Sequence, residues 1–78
     1  MKKGRVIDMA ILKTKLHELR KERNMQQVEL ATLVGVRRET IGNLENGKYN
    51  PSLKLAMDIA KVFDRTVEEI FFFEEGKE

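Results

Sequence analysis

Gly35 is the residue that most restricts what this chain can become. Before it, QQVELATLVG carries Leu30, Ala31 and Val34 at helical spacing, and glycine is the natural left-handed stop for such a segment. Only Val36 separates it from a second polar, helix-like segment in which Ile41 and Leu44 form an inward stripe while Arg38, Glu39, Gly42, Asn43 and Asn46 face away. Two short helices joined by so tight a glycine turn, the second with a polar outer face, read as a helix-turn-helix.

The rest of the chain supplies helices to pack against this pair. In LKTKLHELRKER, Leu12, Leu16 and Leu19 predict an amphipathic helix from Leu12 to Arg23, interrupted by Asn24 and Met25. Asn46 to Pro51, NGKYNP, is rich in turn formers. Ser52 is placed to cap a fourth helix, SLKLAMDIAKVF, with Leu53, Ala56, Ile59, Ala60 and Phe63 inward. Thr66-Val-Glu-Glu69 is a capping box that opens a last short helix with Val67 and Ile70 inward. The expected fold is therefore all-α, with five helices. IFFFEE has β propensity and RVIDMAIL alternates, so the two ends of the chain are candidates to pair as a small two-stranded sheet. The expected organisation is an N-terminal extension over 1–11, a helical domain over 12–71 and a C-terminal tail over 72–78.

Size and charge narrow the function. At 78 residues the chain is one small domain, large enough for one core but not for a core plus a buried catalytic cavity. It has no cysteine, and its single histidine, His17, has no second histidine or thiol beside it, so no metal, cofactor or enzymatic role is expected and His17 reads as a surface residue. No apolar run reaches the roughly 20 residues that cross a bilayer, so a soluble, cytoplasmic protein is expected. The net charge of +2 is uneven: residues 1–54 hold twelve Lys/Arg against six Asp/Glu, residues 55–78 three against seven. One half can meet a polyanion while the other faces away from it.

From about Leu16 to Phe71 the chain resembles the phage-repressor-like, Xre/Cro-type helix-turn-helix family. The motifs that carry the resemblance are LHELRKERNMQQVELATLVGV, TIGNLENGKYNPSL and LKLAMDIAKVF. It implies a lambda-repressor-like fold and a homodimeric regulator of transcription, a repressor, on double-stranded DNA with a near-palindromic operator and no evident small-molecule effector. Carried over position by position, it implies that Gln27 contacts phosphate, that Arg38, Glu39 and Asn43 reach base edges, and that Asn46 and Lys48 touch the DNA backbone. It also implies a partly buried ion pair between Arg20 and Glu45. Arg37 and Gln26 depart from the usual capping residues, and Gly42 from a better helix former.

The residues bear on these expectations physically. An arginine at an N-cap cannot accept the free backbone N–H bonds and meets the positive end of the helix dipole, so Arg37 costs about 1 kcal/mol relative to serine unless a phosphate reverses the sign. Arg38 suits guanine, Glu39 cytosine N4 and Asn43 adenine; the competing assignment is a solvated face with an internal Arg/Glu pair. Lys2, Lys3 and Arg5 read as a plain solvated tail, with a minor-groove arm as the alternative. Of Phe71, Phe72 and Phe73, at least one must point away from the monomer core, which favours a dimer interface there. Rival expectations are an antitoxin-type autoregulator, and a protein-interaction module using the acidic, Phe-rich end.

Overall fold

The computed structural model describes residues 11–74. Strand β1 (Ile11–Thr14) is followed by α1 (Leu16–Glu22), α2 (Gln27–Val34), α3 (Arg38–Glu45), α4 (Leu53–Phe63), α5 (Val67–Ile70) and strand β2 (Phe71–Glu74). The five helices are as expected, and the two ends do pair as a small sheet, which corrects all-α: β1 and β2 pair antiparallel, with Leu12 opposite Phe73 and Thr14 opposite Phe71. The strands thus cross both expected domain boundaries. The arm candidates Lys2, Lys3 and Arg5 lie outside the described residues.

The sheet also corrects the start of the first helix. Leu12 has helical spacing with Leu16, but Leu12 to Thr14 are extended because β2 supplies backbone partners that a first helical turn lacks. The pairing continues through the Lys15 N–H, which donates to the Ile70 carbonyl at 2.9 Å, and the Thr14 hydroxyl accepts from the Leu16 N–H at 3.0 Å to begin α1. Asn24, at φ 53°, ends the turn after α1.

The remaining boundaries follow local chemistry. Gly35 takes the left-handed conformation, φ 75°, that closes α2. Ser52 Oγ accepts from the Leu55 N–H at 3.1 Å, and Thr66 and Glu69 exchange side-chain-to-backbone bonds at 3.2 and 2.9 Å. At the start of α2 the Glu29 carboxylate accepts from the Gln26 N–H at 2.7 Å.

One core joins all the helices. Leu16, Leu30, Ile41, Leu44, Ile59 and Ile70 are fully buried, with Phe63 and Phe71 beside them. On α4 the inward set needs a correction, since Leu55 is buried and Leu53 is 74% exposed. Leu55 lies one turn before Ile59 and shares its face, whereas Leu53, at the first position after the cap, points past the core. Arg23 ties α1 to the end of α4: it donates to the Val62 and Phe63 carbonyls at 2.8 and 3.2 Å, and its guanidinium lies 5.1 Å from the Phe63 ring centroid.

Candidate nucleic-acid interface

Burial of Ile41 and Leu44 determines which way α3 faces, and leaves Arg38, Glu39 and Asn43 exposed together on its outer side. Arg37 precedes them with φ −82° and ψ 155°, exposed and without a side-chain cap, while its carbonyl accepts from the Thr40 N–H at 3.0 Å. Beyond α3, Gly47 at φ 72° turns the chain so that Asn46 and Lys48 stand exposed at the helix end, with exposed Tyr49 next to them. The structure thus gathers Arg37, Arg38, Glu39, Asn43, Asn46 and Lys48 on and around one helix.

Gln27, the first residue of α2, reaches this helix from the side. Its Oε1 accepts from Arg38 Nη1 at 3.0 Å and its Nε2 donates to Glu45 Oε1 at 3.0 Å. A cation at one end and a carboxylate at the other leave the amide only one sensible orientation. The amide lies over Gly42, where an added Cβ would stand 3.9 Å from both of its polar atoms, an ordinary contact. Among the described residues Arg38 makes no ion pair with Glu39; its partner is Gln27.

Glu45 anchors the inner end of this chain of bonds. Arg20 Nε lies 2.6 Å from Glu45 Oε2 and Arg20 Nη2 donates to Oε1 at 3.0 Å, with side chains 8% and 5% exposed. The third guanidinium nitrogen donates to the Met25 carbonyl at 2.7 Å, so Arg20 is bonded on every side that burial removes from water. Burial pushes the Glu45 carboxyl pKa up, but hydrogen bonds from Arg20 and Gln27, the Arg20 charge and the His17 contact outweigh it and hold the group below its ordinary value. Among the described residues no buried side-chain polar atom lacks a partner.

Two features escaped sequence reasoning. His17 is exposed, yet its Nδ1 lies 3.1 Å from Arg20 Nη2 and 3.4 Å from Glu45 Oε1. Its place three residues before Arg20 on α1 was the available signal. The Gln27–Arg38 bond spans eleven residues and two helices, and no spacing rule reports it.

The three phenylalanines are divided. Phe71 belongs to the monomer core, Phe72 is half-buried and Phe73 is 64% exposed. Phe73 borders an apolar groove lined by Leu12, Pro51, Leu53, Val67 and Phe71, and Met57 is exposed one turn along α4 from Leu53. Among the described residues no cluster of three His, Cys, Asp or Glu is placed to hold a metal ion, and no helix is long and apolar enough to cross a membrane.

A helix-turn-helix family model matches residues 16–70. An HTH-type transcriptional regulator of Archaeoglobus fulgidus is 59% identical over 64 residues, 82% of this chain and 90% of that one. HTH-type transcriptional regulator YgzD of Bacillus subtilis is 42% identical over 64 residues, 82% of this chain and 97% of that one. Among solved structures, the restriction-modification controller protein C.AhdI of Aeromonas hydrophila superposes with a TM-score of 0.64 at 35% identity, over 69% of this chain and 82% of that one. A hydroxypropylphosphonic acid epoxidase from S. wedmorenis contains a similar fold, with a TM-score of 0.63 at 29% identity, but over only 29% of its chain. With a family match across most of its length, relatives that share nearly their whole chains with it and a polar helix face built as described, this protein belongs to the Xre-type helix-turn-helix family of DNA-binding transcriptional regulators.

Proposed function

We propose that the protein is a homodimeric, sequence-specific repressor that lays α3 of each subunit in the major groove and acts by binding, with no catalytic step. The observation that carries this is the exposed face of Arg38, Glu39 and Asn43, on a helix whose inner edge is tied down by the Gln27–Glu45–Arg20 bonds. A side chain oriented before contact loses less freedom on contact, which favours base reading over plain phosphate binding. The controller protein's similarity supports a regulatory role at its own level of 35% identity.

In this reading Arg37, Lys48, Gln27 and Asn46 hold phosphates on either side of the base contacts, and a cation at the Arg37 cap gains an anion there. The second copy docks on the groove edged by Leu53 and Phe73, giving two half-sites about 34 Å apart in a near-palindromic operator. With Arg37 and Lys48 as cationic phosphate contacts in each subunit, binding to duplex DNA should weaken with a log–log salt slope of about −3.6. Fluorescence anisotropy with a labelled duplex at stepped salt tests this. A folded protein that binds no duplex at low salt overturns it.

A further inference from the structure

His17 touches the Arg20–Glu45 pair from the solvent side, its side chain 56% exposed, and nothing in the DNA-reading scheme uses it. Arginine only donates, so at 3.1 Å from Arg20 Nη2 the neutral ring must present Nδ1 as acceptor and carry its proton on Nε2. In the imidazolium both nitrogens donate. Nδ1–H then has no use for Arg20 and faces Glu45 Oε1, 3.4 Å away. That oxygen already accepts from Arg20 Nη2 and Gln27 Nε2, each at 3.0 Å. Of the three competing donors the Gln27 amide is the uncharged one, and charge-assisted bonds are the stronger, so the amide yields. Its other end holds Arg38.

We propose that protonation of His17 releases Gln27 from Glu45 and thereby frees Arg38 from its fixed orientation, so that the protonated protein discriminates less between DNA sequences. The charged groups facing His17 support a local exchange. From α3 it meets Glu45, from its own helix Arg20, with Lys21 one turn on, and from α2 the neutral Gln27 through Glu45. Lys13 of β1 is engaged with Glu74 at 3.9 Å. The effect on DNA rests on the function proposed above; the hydrogen-bond exchange does not.

The test has a part for each. In DNA-free, nitrogen-15-labelled protein taken from about pH 8 to about pH 5.5, the Gln27 side-chain amide resonances should move with the same midpoint as the His17 ring. They should stay still in His17→Gln, whose folding is checked by its melting curve. A Gln27 amide indifferent to His17 overturns the exchange. Over the same range, the parent's affinity ratio between a selected site and a scrambled duplex should fall by about three- to tenfold, the effect of losing one orienting hydrogen bond, and should be constant in His17→Gln. An identical pH dependence in His17→Gln overturns the recognition half of the proposal. Absence of site preference at any pH overturns that half and the DNA-reading assignment together, while the amide signal still judges the exchange alone.

Discussion

The two candidate functional faces of this molecule are finished to different degrees. Along the side of α3 that meets α2 and α1 the polar groups are committed: Arg38 to Gln27, Gln27 to Glu45, and Glu45 to Arg20. Around the groove between α4 and the terminal sheet the reverse holds, with Leu53 and Phe73 mostly in water. The first face is complete in the monomer and waits only for a ligand that its exposed tips can touch. The second leaves apolar surface uncovered, as the proposed self-association requires. Order at one face and exposure at the other lead to different predictions.

The largest effect should come from the committed side. Glu45→Ala leaves the Arg20 guanidinium buried without its carboxylate, which costs roughly 3 to 5 kcal/mol, a large share of the stability of a domain this size. Urea unfolding measures it. A double change, Arg20→Met with Glu45→Leu, should recover most of the loss, because removing both charges also removes their desolvation. The pH dependence has the matching sign. The Glu45 pKa is lower folded than unfolded, so its contribution is present above the ordinary carboxylate value and disappears as the pH drops through the depressed one. In Glu45→Ala this part of the acid sensitivity should be absent.

On the uncovered side, Phe73→Ser with Leu53→Ser should dissociate the proposed dimer while leaving each subunit folded, since both side chains are already exposed. Sedimentation at micromolar concentration distinguishes the cases: an unchanged dimer moves the interface elsewhere, and a parent that is monomeric removes it.

A smaller change separates base reading from phosphate holding within the α3 face. Arg38→Ala should lose about 1 to 3 kcal/mol of discrimination at one base position in each half-site, whereas Lys48→Ala should weaken all sequences alike. Binding to panels of single-base operator variants gives both numbers. Equal behaviour of the two variants would show that Arg38 reads no base.

The smallest effect concerns Gly42. Its backbone is not in the left-handed region and a Cβ would meet nothing closer than 3.9 Å, so Gly42→Ala should stabilise by about 1 kcal/mol and raise the melting temperature by about 4 to 8 °C. A lower melting temperature would mean that the Gln27 amide needs the space.

These faces were unequally legible in the sequence. Helix ends set by one residue's own chemistry, at Gly35, Ser52 and Thr66, could be read directly, and so could the inward pair Ile41 and Leu44. Leu12 misled because its spacing to Leu16 is helical, while the partner that makes it a strand lies some sixty residues away at Phe73. Leu53 misled because two leucines two positions apart on one helix cannot both face the core, and the choice depends on where neighbouring helices lie. The outward set on α3 follows from periodicity, and Arg20 with Glu45 from the family resemblance. The Gln27 bridge is a product of packing between α2 and α3, which leaves no pattern along the chain, whereas the His17 contact is marked only by its place three residues before Arg20.

The proposed function requires the α3 face to read a specific sequence as a two-fold pair. Selection of a random duplex library by the purified protein at near-physiological salt tests it most directly. Enrichment of a near-palindrome with half-sites about one helical turn apart is the expected result; retention of DNA without any enriched sequence, by a folded protein, would overturn that reading.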